Sequence, residues 1–211
     1  FRQASLSAWT EVGGNNDAQR LTYYTPNFNG FTMGVSYAAT AAPTNTYNVN
    51  KNAVLSDIFD VAANYNQTFG TTSVNVTARY GTGDAPGAAS DPDTWGIGMQ
   101  IGFADFVVGG SWSENDSGVA AGVGDSEGWS FGVSYDMAGP WSFSALTYQG
   151  EGTFAAGVKD SYEAYSIGAS RDLGPGVSWD LYLTQVTADR NTTPGDDVDG
   201  WALGTGINLS F

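Results

Sequence analysis

Bulky hydrophobic residues alternate with small or polar residues along most of the chain. In the last segment, the odd positions from Trp201 to Phe211 are mostly bulky and apolar, and the even positions from Ala202 to Ser210 are small or polar. A period of two residues places successive side chains on opposite faces of a β-strand. No segment shows the i, i+3, i+4 spacing of an amphipathic helix. The alternation predicts eleven strands, at residues 20–25, 30–38, 57–69, 73–82, 94–103, 106–115, 128–137, 141–151, 161–171, 177–188 and 199–211.

One predicted strand breaks its own alternation. Within 141–150, Leu146 and Tyr148 fall on the parity opposite to that of Trp141 and Phe143. A β-bulge inserts one extra residue into a strand, and it would return all four side chains to one face. We therefore expect a bulge in this strand.

The connections between the predicted strands alternate between short and long. The short ones lie at 26–30, 70–72, 104–105, 138–140 and 173–176. The long ones, rich in Gly, Asp, Asn, Ser and Thr, lie at 39–56, 82–93, 116–126, 151–160 and 189–198. Tight turns at one edge and long loops at the other are typical of a bacterial outer-membrane β-barrel, whose turns face the periplasm.

Aromatic rings and carboxylates follow the same division. Rings gather at both ends of the apolar band, with Phe69 and Trp141 near the turns and Trp95 and Trp129 near the loops. Most of the 22 Asp and Glu residues fall in or beside the long loops. Two aromatic rows around an apolar band are typical of strands that cross a lipid bilayer. The predicted fold is therefore all-β, an antiparallel transmembrane β-barrel of the bacterial cell outer membrane.

The composition excludes several classes of chemistry. The 211 residues include no Cys and no His, so zinc fingers, thiol nucleophiles and any mechanism that needs an imidazole are ruled out. The net charge of −15 would repel nucleic acid, because the few cations are scattered. Gly96, Gly98 and Gly102 lie inside an alternating strand and not at a strand-to-helix turn, so they form no dinucleotide-binding loop. We expect no enzymatic activity.

Two segments resemble a known family. The sequence from Arg20 to Tyr37, RLTYYTPNFNGFTMGVSY, resembles the strand-turn-strand segment that follows the constriction loop in Gram-negative outer-membrane general diffusion porins, particularly the alphaproteobacterial type. The last strand, with its terminal Phe211, is similar to the porin signature that the outer-membrane assembly machinery recognises. Thr22 stands where the family often has Arg, so that the nearest inward cation in this segment is Arg20.

The resemblance implies a passive channel for small hydrophilic solutes and ions, present as a homotrimer among outer-membrane lipid and lipopolysaccharide. It also implies that the chain is the C-terminal portion of a sixteen-stranded barrel, because an odd number of antiparallel strands does not close. Residues 1–19 would then be the end of the constriction loop, and residues 20–211 the C-terminal strands of a single barrel domain.

The alternation along each strand predicts which side chains line a water-filled lumen, because these side chains lie on the face opposite the bulky apolar residues. Arg20 and Arg79 lie about five to seven residues from their turns, near mid-height, where they would act as constriction cations. The alternative is that each Arg only pairs with a neighbouring carboxylate or extends its charged end toward one of the aromatic rows. Glu11 and Asp17 would form the acidic side of the constriction if 1–19 folds inward, and otherwise are solvated loop charges. The other predicted lining residues are Asp60, Asn64, Asn66, Asn75, Thr77, Gln100 and Asp180.

The acidic loops admit two roles beyond solvation. Clustered negative charge at the mouth attracts cations, which predicts a cation-preferring channel. Carboxylates could also donate oxygens to Ca²⁺. The chain contains no spaced calcium-binding motif, and we expect no specific metal site and no other cofactor. The possible Ca²⁺ donors are Asp91 with Asp93, and Asp196 with Asp197 and Asp199.

Two other interpretations of the alternation stay open at this point. A soluble secreted β-sandwich or β-helix binding module would use the same alternation to pack one face against a second sheet. An outer-membrane barrel could instead anchor or export a passenger domain. Solubility without detergent would favour the first, and an attached passenger sequence would favour the second.

Overall fold

The computed structural model describes residues 18–43, 50–87, 89–191 and 197–210. They form one antiparallel sheet in which the strands pair in chain order. Two short 3-10 turns, Lys51–Ala53 and Ala120–Gly122, lie between strands. The described residues include no helix of sufficient length and apolarity to cross a membrane. The strands are β1 (Ala18–Tyr24), β2 (Phe31–Pro43), β3 (Ser56–Phe69), β4 (Thr72–Asp84), β5 (Asp93–Phe103), β6 (Phe106–Asp116), β7 (Ser126–Asp136), β8 (Trp141–Ala155), β9 (Val158–Gly174), β10 (Val177–Asp189) and β11 (Val198–Leu209).

All eleven predicted strands are present, and the antiparallel all-β prediction is confirmed. Most strands extend past their predicted ends by a few residues. β1 begins at Ala18, so it starts two positions before the boundary predicted from the sequence. The sheet is open and forms part of a barrel wall. Residues 1–17, which include most of the predicted constriction-loop segment, lie outside the described residues.

The long loop predicted at 151–160 is wrong. Only two residues connect β8 to β9, and Gly157 in this connection takes a φ of +72°. Gly, Ala and Lys give the segment the composition of a loop, but cross-strand pairing continues almost to its end. Lys159 also forms an ion pair with Glu151 across the hairpin. The β8–β9 connection is therefore a tight turn on two long, paired strands.

The prediction of a bulge within 141–150 is also wrong. β8 pairs with β7 without a register shift, and its irregularity lies further along, between Thr153 and Ala155. The alternation of faces is therefore unbroken through 141–150. Leu146 and Tyr148 point to the face opposite to that of Phe143, where the hydrophobic pattern alone did not place them.

Register assigns each strand residue to one of two faces. Residues paired across neighbouring strands share a face, and successive residues alternate between faces. The polar face is the one that carries Asp60, Asn64, Arg79 and Asp180, and the apolar face is the other. A slip of one residue would exchange the two faces completely, so the alternation in the sequence fixes the register.

The apolar face carries its rings in two rows. Phe106 stacks between Phe103 and Tyr135 near the turns, with ring centroids 5.8 and 4.5 Å apart. Trp95 and Trp112 meet edge to face near the loops, with centroids 3.9 Å apart. The two aromatic rows predicted from the sequence therefore lie on one face, at the two ends of the strands.

The apolar face has no protein core beneath it. Ile97, Phe131 and Leu203 are 50%, 51% and 74% exposed on this face. All strands belong to one sheet, so no second sheet covers these side chains in the described part of the chain. The β-sandwich and β-helix interpretation is therefore wrong. An exposed apolar band of this extent needs lipid as its solvent.

Candidate functional site: the polar face of the sheet

The polar face gathers the predicted lining residues of β3, β4 and β5 in neighbouring rows. Asn64 pairs in register with Thr77, and Asn75 lies between Asn66 and Gln100. The Asn64 Nδ2 donates to Thr77 Oγ1 at 2.9 Å and to Asn75 Oδ1 at 3.2 Å. Short amide and hydroxyl side chains therefore form a hydrogen-bonded surface that stays available to water.

Arg79 and Asp60 form an ion pair at the loop side of this surface. The Arg79 Nη2 donates to Asp60 Oδ1 at 2.9 Å, with the side chains 27% and 11% exposed. Arg79 lies between two small residues in its row, Ala62 and Gly96, which leaves it room to reach the carboxylate on β3. The pairing of Arg79 with a neighbouring carboxylate is therefore observed, and its role as a constriction cation stays a prediction.

Arg20 lies apart from this pair. It pairs in register with Ala38 on β2, and its side chain is exposed on the polar face. Two strands, β2 and β3, separate it from the strand that carries Arg79. Nearby, the Thr22 hydroxyl donates to Ser36 Oγ at 3.2 Å, where the resembled family often has a second cation. The two arginines therefore lie on strands that are not neighbours in the sheet.

Asp180 lies on the same face, on β10. Ser170 Oγ donates to its Oδ1 at 2.6 Å, and Asn208 Nδ2 donates to its Oδ2. Its row includes Ser142 and extends to Asp136. Asp172 lies one polar-face row nearer the turns. The lining residues predicted from the sequence did not include Asp136 and Asp172, although the alternation already placed Asp136 opposite the apolar residues of its strand.

Small side chains form most of the remaining polar face. A concavity of about 590 Å³ lies over β4 to β8. Its polar-face lining consists mainly of glycine and serine beside amides, including Asn75, Gln100, Gly109, Ser111, Ser130 and Gly132. Further along the wall, the ring of Tyr182 lies against Gly204, where an added Cβ would come within 2.1 Å of the ring. Side chains on the polar face are therefore short where glycine and serine dominate, and the Tyr182 ring covers the space above Gly204.

Carboxylates at the loop ends bond to their own loops. Asp91 Oδ1 accepts from Ala85 N at 3.0 Å, and Asp197 Oδ1 accepts from Arg190 N at 2.9 Å. Within the ranges described above, no three acidic, His or Cys residues are arranged to hold a metal ion. The suggested Ca²⁺ donors at Asp91 and Asp197 therefore have local backbone partners.

Lys51 and Asp57 close another loop end. The Lys51 Nζ lies 2.7 Å from Asp57 Oδ1, and Tyr37 donates to the same oxygen at 2.5 Å. The hydrogen bond to Asp57 raises the pKa of Lys51 above its ordinary value.

Four predicted residues cannot be placed, because Glu11, Asp17, Asp196 and Phe211 lie outside the described residues.

Comparison with known proteins gives one family and a set of similar folds. Residues 3–194 match the family model described as Gram-negative porin. No match was found among curated proteins. An outer-membrane-expressed OmpT of Vibrio cholerae shares 12% identity with a TM-score of 0.60, over 94% of this chain and 67% of its own length. OccAB2 of Acinetobacter baumannii shares 11% identity with a TM-score of 0.61, over 90% of this chain and 53% of its own length.

A third similar structure is a porin refined at 1.8 Å resolution, with 20% identity and a TM-score of 0.56. The alignment covers 92% of this chain and 62% of that porin. Likeness at these identities establishes the β-barrel fold, and the family match covers most of the chain. The protein therefore belongs to the Gram-negative porin family and is located in the outer membrane.

Proposed function

We propose that the protein is a passive diffusion channel for small hydrophilic solutes and ions, without enzymatic activity. The observation that carries this proposal is the division of one sheet into an apolar face with two aromatic rows and a polar face of amide, hydroxyl and charged side chains. In a barrel, the apolar face contacts lipid and the polar face lines water. Passage through such a lumen needs polar lining and a suitable width, and no chemical step.

We further propose that the channel prefers cations. Among the described strands, register places five aspartates on the polar face but only two arginines. Arg79 is paired with Asp60, so it adds little net positive field. Asp180 is held by Ser170 and Asn208, which fixes its carboxylate at the wall. The five polar-face aspartates are Asp60, Asp136, Asp160, Asp172 and Asp180.

Single-channel recording in planar bilayers tests both parts of the proposal. The folded protein should give stepwise ohmic currents, and a reversal potential in a KCl gradient should show preference for K⁺. Asp180→Asn should lower the ratio of K⁺ to Cl⁻ permeability, because it removes a fixed negative charge from the lumen. Asp189→Asn is the matched control, because Asp189 lies on the same strand but on the apolar face. Folded protein without conductance would overturn the channel, whereas equal ratios in both variants would overturn only the role of Asp180.

The resemblance to general diffusion porins also supports three proposals about partners. The protein forms a homotrimer, contacts lipopolysaccharide and phospholipid, and uses Phe211 as the signal that the outer-membrane assembly machinery recognises. Because β1 begins at Ala18, the resemblance supports the end of the constriction loop only for residues 1–17, with Glu11 and Asp17 on its acidic side. Unheated gel migration above the monomer, lost on heating, tests the trimer. Removing Phe211 should lower the amount of folded protein in the outer membrane.

A further inference from the structure

Arg171 occupies an unusual position for a cation in this chain. It lies near the turn end of β9, in register with Trp141 of β8 and Trp179 of β10. These three residues lie on the apolar face, which contacts lipid. The other cations of the described strands and loops lie on the polar face or at the loop ends, namely Arg20, Arg79, Lys51, Lys159 and Arg190.

The guanidinium of Arg171 lies over one aromatic ring, and among the described residues it has no carboxylate partner. Its Cζ lies 5.4 Å from the centroid of the Trp141 ring, a cation–π distance. Trp141 in turn meets Trp179 edge to face, with centroids 6.1 Å apart. Arg171 is exposed and forms no ion pair with any residue that the structure describes. The next residue, Asp172, points to the opposite face of the sheet. The planar group is therefore oriented on one side, while its N–H donors stay available.

Next to Arg171, toward the middle of the apolar band, a small residue stands between two large ones, and we call this gap the groove. Two residues before the arginine, Ala169 lies in register between Phe143 and Leu181. The larger neighbours are 43% and 39% exposed, so they stand on either side of the small residue. The groove is about 6.6 Å from Arg171 along the strand, because each strand residue rises about 3.3 Å. A cation at the level of the lipid headgroups thus lies beside an apolar groove that is one side chain wide.

We propose that this patch binds a phospholipid of the inner leaflet, with Arg171 on the phosphate and one acyl chain over Ala169. The short turns of such barrels face the periplasm, so the turn end of the apolar face meets the inner-leaflet headgroups. Trp side chains settle at that level of a bilayer. A guanidinium can donate two parallel hydrogen bonds to a phosphate. The ammonium group of a lysine acts as a point charge and does not form this paired contact. The lipid that fits is a phosphodiester with at least one fatty acyl chain.

Native mass spectrometry of the detergent-solubilised protein, titrated with palmitoyl-oleoyl phosphatidylglycerol, tests the proposal. Arg171→Gln should weaken lipid binding by about tenfold, the loss expected for a charge-assisted hydrogen-bonded contact. Ala169→Phe should also weaken binding, because it fills the groove while the cation stays. Arg190→Gln is the control, since it removes the same charge at the loop end of the barrel. Heat-shifted gel migration confirms that each variant is folded.

Two probes separate the sources of binding. Diacylglycerol with the same acyl chains should bind weakly and equally to all variants, because it has no phosphate. Inorganic phosphate at millimolar concentration should not displace the lipid. Unchanged lipid binding in Arg171→Gln, equal loss in Arg190→Gln, or full displacement by inorganic phosphate would each overturn the site as a phospholipid site. If Arg171→Gln does not fold, Arg171→Lys and Ala169→Phe both still predict weaker binding. Channel conductance is not needed for any of these outcomes.

Discussion

The ion pair between Arg79 and Asp60 makes a signed prediction about ion selectivity. Because the two charges lie 2.9 Å apart, an ion in the lumen experiences them as a nearly neutral pair. Arg79→Gln would leave the Asp60 carboxylate alone on the polar face and increase preference for cations. Asp60→Asn would remove the carboxylate while the guanidinium keeps its charge, and it should shift preference toward anions. The double variant should return to the selectivity of the unmodified channel, because a neutral pair is replaced by two neutral side chains.

The size of the effect follows from Coulomb's law. At about 5 Å in water, two unit charges interact with about 0.8 kcal/mol. Screening with a Debye length of about 8 Å at physiological salt reduces this energy to about 0.4 kcal/mol. The local concentration of the favoured ion then rises about twofold, and that of the other ion falls about twofold. The ratio of K⁺ to Cl⁻ permeability should therefore change about fourfold in Arg79→Gln.

Reversal potentials measured across planar bilayers supply the assay. The fourfold change should shrink to less than about twofold in 1 M KCl, where the Debye length is about 3 Å. Unheated gel migration verifies that each variant keeps the folded barrel. The reasoning is refuted if both single variants shift the ratio in the same direction, or if the double variant keeps the shift of either single one. A salt-independent change would also count against it, since a change of pore shape would then be the cause.

Two further predictions concern a glycine and a lysine. Gly204→Ala should lower single-channel conductance, because the new methyl group displaces the Tyr182 ring from the wall into the lumen. Gly206→Ala is the control, because there is open space at its Cβ position, and it should leave conductance unchanged. Equal conductance in both variants would contradict this packing. NMR titration of ¹³C-methylated lysines should show the pKa of Lys51 above the usual value of about 10.4. The Lys51–Asp57 ion pair is then complete below that value and lost as pH rises through the raised pKa, and Asp57→Asn should lower the pKa.

The sequence predicted the strands well because each spans a bilayer with one face in lipid. That environment demands bulky apolar residues at alternate positions, so the period of two is visible without any structure. The same parity correctly placed Asp60, Asn64, Arg79 and Asp180 on one face. It failed at Leu146 and Tyr148, because hydrophobicity was taken as a sign of the lipid face. Unbroken backbone pairing, and not side-chain polarity, decides the face of a residue.

Partners between side chains could not be predicted in the same way. The pairing of Arg79 with Asp60 joins two strands at positions 19 residues apart, and it depends on small neighbours that let the guanidinium cross. Likewise, the segment 151–160 had the composition of a loop, yet its register extends the hairpin almost to the turn. Composition reports what a segment tolerates, whereas the register that fixes these contacts is set by the neighbouring strand.

Different strands contribute different kinds of side chain to the polar face, and this separates the residues that set pore width from those that set ion preference. Amides and the ion pair are concentrated on β3 and β4, whereas the middle strands β5 to β8 contribute mainly glycine and serine, and Asp180 lies beyond them on β10. Small side chains set the width of a lumen, and fixed charges set its field. Substitutions at Gly109 or Gly132 should therefore change the size limit for neutral solutes more than ion preference. Substitutions at Asp60 or Asp180 should do the reverse, so that size and charge selection are separable on this wall.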